Sequence, residues 1–361
     1  MYINKKLLTY DKETGLVLMT DMGTNKVLYQ MEGFFVYNRP EQILENYELE
    51  LKGISKGRDC YICDTEQGAL ALYEYSGSKE RATFYAEIQQ YLFEKGILTE
   101  QVITTKDLQP IVEEEDGDKW ILLTAFKGAE CDVYREADMR AAAESLARIH
   151  AAAQNYDKEV PEFVKIQSGA LLALYEKRNR ELRQVRNYIR NRKQKNIFEA
   201  LYMKYQQDFM EKGEQVVSSL RSFEGFHFPI SYCHGDFNQH NLIFSGKGNA
   251  IIGTTHFSYG IQISDLANFI RKMLEKNSWN VDLGMRIISA YEKVKEITTE
   301  EKKLLYCHLA YPEKFWKIAN HYNNSKKVWL SDRNLEKIEK VIEQERSREE
   351  FLENLFDFIK E

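Results

Sequence analysis

Cys233-His234-Gly235-Asp236-Phe237-Asn238-Gln239-His240-Asn241 decides how the rest of this chain is read. An Asp is followed five residues later by an Asn, with Ile230 ahead of the stretch and Leu242-Ile243 behind it. A phosphoryl-transfer loop needs that spacing. The Asp accepts the proton of an attacking hydroxyl, and the Asn, turning back from the next short strand, holds a magnesium ion. The same residues also suit a polar turn between two short strands, where Gly and Asn serve the backbone.

Upstream, residues 47–54 alternate weakly, Gly53 and Gly57 flank an expected turn, and 59–64 read as a strand. Glu66-Gln67-Gly68 turns that strand into 69–75, which makes a hairpin. Ser78 is placed to cap a helix over 79–95 that Gly96 closes, with Phe84, Tyr85, Ile88, Tyr91 and Leu92 at helical spacing. Further strands are expected at 101–104, 110–112 and 120–124. Residues 1–45 read as β-rich or extended: strands at 16–19 and 26–29 parted by a turn over 21–25, then Phe34-Phe35-Val36-Tyr37 leading to Arg39-Pro40.

After 124 the pattern turns helical. Residues 136–153 form a strong amphipathic helix through Met139, Ala142, Leu146 and Ile149, and His150 at its buried end reads as a core histidine bonded to backbone. Two long helices fill 169–221. The first carries a run of Arg and Lys between 177 and 195, either a solvated face bridged to Glu176 and Glu181 or a docking surface for an acidic partner or polyanion. A short strand is expected at 249–253, Ser264-Asp265-Leu266-Ala267 opens a helix to 273, and the chain from 278 onward is helical. The aromatic residues of 311–322 recur at helical spacing and read as core.

The 361 residues carry 50 Lys and Arg against 56 Asp and Glu, a net charge of −6, which disfavours a nucleic-acid-binding role. No apolar run reaches membrane-spanning length, and the first residues lack the apolar core of a secretion signal, so synthesis in the cytoplasm is expected. Cys60 and Cys63 have metal or redox spacing, but a strand sends residues three apart to opposite faces and no second pair follows, so structural thiols are expected.

In this order the elements resemble the aminoglycoside phosphotransferase and choline kinase superfamily, a protein-kinase-like α+β fold. Within it the chain is similar to the CotS family of kinase-like spore coat proteins. The matching stretches are 57–75, Leu146-Ala147-Arg148-Ile149-His150, 233–244, Asp265-Leu266 with Phe269-Ile270-Arg271-Lys272, and 311–322. The resemblance implies an antiparallel-sheet N-lobe over 1–124, a hinge at 125–128 where Ala125 and Phe126 would meet adenine, and a helical C-lobe over 129–361 carrying the loop 233–241. It makes Asp236 the catalytic base, Asn241 a metal ligand, His234 the scaffold histidine under the loop, and Asp265 the residue that caps the next helix and braces the loop. ATP and magnesium are the implied cofactors, other coat proteins the implied partners, and the spore coat the implied location.

Two positions depart from the family's pattern. The main magnesium-binding Asp belongs twelve residues before Asp265, and Gly253 stands there, followed by Thr254-Thr255-His256. Tyr73 falls where the third strand should end in a phosphate-clamping Lys, leaving Glu87 as the position of its helix partner. A hard cation wants carboxylate oxygens. Losing one preorganised electrostatic contact costs on the order of 3 kcal/mol, about a hundredfold or more in rate, and two independent losses multiply to roughly ten-thousandfold. The expectation is a catalytically degraded kinase fold acting in binding or coat assembly, with weak or absent ATP and magnesium binding. The alternative is an ATP-dependent phosphotransferase acting on a small-molecule or sugar hydroxyl with Asp236 as base.

Overall fold

Four short strands open the chain and pair antiparallel in sequence order: β1 (Tyr2–Ile3), β2 (Lys6–Asp11), β3 (Leu16–Asp21) and β4 (Val27–Met31). Apart from these strands, the computed structural model describes residues 39–164, 170–223, 228–246, 248–324 and 332–360. The expected turn residues 22–25 and the stretch 34–37 lie outside the described residues. Two compact units divide the chain, one of residues 1–86 with 101–125, the other of 87–100 with 126–361.

In the first unit, α1 (Arg39–Leu44) follows the four strands. The sequence reading had no helix here, only an approach to Arg39-Pro40. Pro40 sits in the first helical turn, where its fixed φ suits the helix and its missing N–H costs nothing, and Pro40, Ile43 and Leu44 are buried. A six-stranded sheet comes next, built from β5 (Leu51–Lys56), β6 (Tyr61–Thr65), β7 (Gly68–Glu74), β8 (Val102–Ile103), β9 (Val112–Glu113) and β10 (Lys119–Thr124). Its order is β5-β6-β7-β10-β8, with β9 also on β10. Gly53 does not flank a turn. It lies inside β5 opposite Asp64, at a register shift after Leu51, a position where glycine often marks a bulge.

Alternation along the central strands sorts side chains between two faces. Leu70, Leu72, Trp120 and Leu122 join Ile43, Leu44 and Tyr47 in one cluster. Ile121, Leu123, Ile111 and Ala82 form the other, with Tyr73 packed against it. Cys63 is buried in the first cluster, whereas Cys60 precedes β6 instead of sharing its strand. None of the five cysteines is in a disulfide, and burial pushes the Cys63 thiol up to about 11, as befits an inert structural residue. Between β7 and β8 runs α2 (Lys79–Glu94), whose first turn is capped by Ser78 Oγ, accepting from Arg81 N–H at 3.3 Å. The boundary between the units falls within this helix.

The second unit is mostly helical. After β11 (Gly128–Glu130) come α3 (Glu136–Ala153), α4 (Ala170–Arg190) and α5 (Ile197–Arg221). A capping box at Asn196 and Glu199 starts α5. Four strands then carry the loop region: β12 (Ile230–Cys233), β13 (Leu242–Ser245), β14 (Gly248–Ile251) and β15 (Ser258–Ile261), with β12 paired to β15 and β13 between β11 and β14. Five helices complete the unit: α6 (Ile263–Lys276), α7 (Val281–Glu292), α8 (Thr299–Ala310), α9 (Glu313–Asn324) and α10 (Asp332–Lys360). The aromatic stretch is core: Phe315 and Tyr322 are buried with Tyr202, Phe209 and Phe198, and Tyr311 stacks on Tyr175 at 4.1 Å between centroids.

The basic helix α4 does not simply bridge to its own acids. Glu176 pairs with Arg221 of α5, Arg183 with Glu214 of α5, and Arg178 with Glu313 of α9, while Lys177 meets Glu181 at 3.9 Å. Arg178 also lies over the Trp316 ring at 4.2 Å. Two of the six Lys and Arg side chains of α4, Arg178 and Arg183, are therefore taken up in interhelical pairs. Among the described residues no helix is long and apolar enough to cross a membrane.

Candidate functional site

The loop 233–241 leaves the end of β12 and enters β13 through a single 3₁₀ turn, Gln239–Asn241. Asp265, in the first turn of α6, holds its start. One carboxylate oxygen accepts from His234 N–H at 2.6 Å, and Gly235 N–H donates to the other at 3.2 Å. Asp265 is not the cap of α6, whose N-cap is Gln262. Its carboxylate turns to the loop amides. Gly235 sits at φ +83°, and a Cβ there would fall 2.2 Å from the His256 carbonyl oxygen, so only glycine fits.

A third donor reaches Asp265 from α3. His150 is fully buried, as the sequence reading expected, but its partners are side chains and not backbone. Its Nε2 lies 3.2 Å from Asp265, and its Nδ1 lies 2.7 Å from the Tyr291 hydroxyl. Burial lowers the pKa of His150, so the neutral ring donates through Nε2 to the carboxylate and accepts the Tyr291 proton. His234 is likewise buried with a lowered pKa. Its Nδ1 accepts from Asp236 N–H at 3.3 Å, which leaves Nε2–H to donate to the Ile252 carbonyl at 2.9 Å. Phe237 and Phe257 meet the ring edge-on. These contacts fix the backbone on both sides of Asp236.

The Asp236 carboxylate is half-exposed and 3.3 Å from Lys272 Nζ of α6. Asn241 donates from Nδ2 to the Asp236 carbonyl at 2.8 Å. Gly253 lies just after β14, not on the strand as expected, at φ +78°. A Cβ at that position would lie 2.8 Å from Asn241 Nδ2. The Asn241 amide therefore rests against the place where a side chain would begin.

Beyond Gly253 the turn is held from below. Thr254 is fully buried, and both its N–H and its hydroxyl donate to Glu100 Oε1 at 2.8 Å. Gln89 Nε2 donates to the same hydroxyl at 2.6 Å. Glu100 is buried, and desolvation raises its pKa to about 7. Neither group is presented as a metal ligand, because the hydroxyl and carboxylate are occupied with each other and with the turn's amides. Among the described residues the one cluster of three potential ligands is Glu114, Asp116 and Asp118 in the first unit, where Arg39 pairs with all three. The donor set at Asn241 does not fit a magnesium ion.

The remaining sequence-predicted positions are spread more widely. Tyr73, the last residue but one of β7, lies opposite Ile121 of β10, its ring against apolar side chains. Ala125 N–H donates to Ala69 O at 2.9 Å, and Phe126 follows it half-buried. Glu87 forms an exposed ion pair with Lys158 at 2.8 Å. The second unit thus brings Asp236, Asn241, His234 and Asp265 together. Sequence reading missed Lys272, which lies 36 residues from Asp236, and the group of Gln89, Glu100 and Thr254. The only available signal was that Arg271-Lys272 follows Asp265 by about two helical turns.

A family model described as spore coat putative kinase YutH matches residues 40–355. The chain belongs to this family. Spore coat protein S of Bacillus subtilis (strain 168) is 23% identical to this YutH-family chain over 319 residues, covering 86% of it and 90% of the relative. Among solved structures, an aminoglycoside phosphotransferase from Alicyclobacillus acidocaldarius superposes with a TM-score of 0.77 at 17% identity, over 89% of this chain and 96% of its own. A spectinomycin phosphotransferase in complex with ADP and spectinomycin superposes with a TM-score of 0.57 at 16% identity, over 84% and 92%. These likenesses place the YutH-family chain in the α+β fold of the phosphotransferases, as its resemblance implied.

Proposed function

We infer that this chain is a kinase-fold spore coat protein that works by binding and not by phosphoryl transfer, associated with other coat proteins at the spore surface. One observation carries the reading. At position 253 a glycine in the left-handed region has the Asn241 amide against it, so that position offers Asn241 no carboxylate. Phosphoryl transfer depends on positioning and on neutralising the phosphates' charge. Without that carboxylate, and with Tyr73 in place of a lysine, Asp236 is a base with no activated phosphate to work against. Weak or absent binding of ATP and magnesium follows.

The test is the apparent melting temperature with millimolar ATP, with and without magnesium. A ligand that binds the folded state must raise it. No magnesium-dependent rise is expected. A rise of several degrees that Asn241→Ala abolishes would overturn the reading. The second reading, a phosphotransferase acting on a small-molecule or sugar hydroxyl, is favoured by the full bracing of the loop and by the place of Asp236 on the lining of a cavity.

A further inference from the structure

The second unit holds a cavity of about 450 Å³ beside the loop, walled by α6, α9, α10 and residues 236–240. That volume lies in the range of small-molecule sites. Four carboxylates line it, and each already faces a cation. Lys272 meets Asp236 at 3.3 Å, Arg271 meets Glu275 at 2.5 Å, and Arg348 meets Glu345 at 2.7 Å, while Arg178 pairs with Glu313. Against these four the lining has seven Lys and Arg side chains. Lys276 of α6 and Lys337 and Lys340 of α10 have no ion pair among the described residues, and all three are exposed.

Three unpaired ammonium groups on two helices make the cavity a place for negative charge. Lys ammoniums are compact point charges that take phosphate oxygens without a fixed fork geometry. Pro312 and the Trp279 indole supply an apolar stretch of wall for a carbon skeleton. We propose that this cavity binds a small phosphorylated polyol or sugar, with Lys276, Lys337 and Lys340 on the phosphate. This inference rests on the reading of the chain as a binding protein and names the chemistry of what that site holds. A cationic sugar, by the same argument, is repelled.

Calorimetric titration of the full chain at low salt, without nucleotide or metal, tests the inference. The probes are glycerol 3-phosphate, glucose 6-phosphate, inorganic phosphate, glucose and glucosamine. At least one phosphate ester is expected to bind at least tenfold more tightly than glucose or glucosamine. Lys276→Glu with Lys340→Glu is expected to weaken that ester about tenfold or more, because two attractive charges become repulsive, with the melting temperature unchanged. Three results overturn the proposal: no phosphate ester binding at millimolar concentration, glucosamine binding as tightly as glucose 6-phosphate, or the double variant binding as the native chain does. Inorganic phosphate binding as tightly as the esters removes the polyol part and overturns the ligand class. Since no nucleotide is present, a magnesium-dependent ATP response in the separate melting experiment refutes the non-catalytic reading without deciding this one.

Discussion

The loop at 233–241 and the turn at 251–256 lie side by side in the second unit, and they have fared differently. The loop keeps every support. Asp265 takes three donors, His234 is bonded at both ring nitrogens, and Asp236 sits between them. The turn keeps its backbone shape through Glu100 and Gln89 but presents no carboxylate at Gly253. Bracing and chemistry are thus separable. A buried hydrogen-bond network is costly to break whether or not the residue it positions still reacts, so an intact motif reports on architecture before it reports on activity.

The largest test of this contrast is Asp265→Ala. It leaves the buried His234 N–H and His150 Nε2–H, and the part-buried Gly235 N–H, without their acceptor, and a loss of about 3 to 5 kcal/mol is expected in urea unfolding. A loss under about 1 kcal/mol would mean that the loop is not held as described. Next comes Gly253→Asp. A left-handed conformation costs a non-glycine residue roughly 1 to 2 kcal/mol, and the Asn241 amide must swing away from Asp236 O. A destabilisation of about 1 to 3 kcal/mol is expected, together with a magnesium-dependent response to ATP where the native chain is expected to show none. Full native stability in this variant would contradict the packing of Asn241 against position 253.

The smallest effect concerns Glu100. Burial raises its pKa from about 4.5 in the unfolded chain to about 7 in the fold. The folded state therefore holds a proton that the unfolded chain releases, and the carboxyl's contribution to stability, full below pH 4.5, is lost as pH rises toward 7. Glu100→Gln keeps the acceptor for Thr254 without the titration. The variant should gain about 1 to 2 kcal/mol on the native chain between pH 5 and 8, measured as the difference between the two unfolding curves across that range. A difference that does not change with pH would sink the assignment.

Much of this was readable because it is local. The spacing from Asp236 to Asn241, the hairpin at Glu66-Gln67 and the apolar stripe of α3 are short-range patterns that tertiary context did not override. What escaped the sequence depends on distant partners. Thr254 meets Glu100 across 154 residues, and Lys272 meets Asp236 across 36. The basic run of α4 looked like a face for solvent or for a partner, but Arg178 and Arg183 find acids on α9 and α5. The helix at Arg39–Leu44 was hidden because Pro40 reads as a breaker until it is seen in a first turn.

Gly235 has a further consequence. The His256 carbonyl occupies the space its side chain would need, so the two segments share one wall of main chain. Lengthening or shortening 254–257 would push directly on the residue before Asp236. Any change of this chain's phosphate chemistry is therefore confined to exchanges of side chain, since insertions and deletions in that turn would displace the base they were meant to serve.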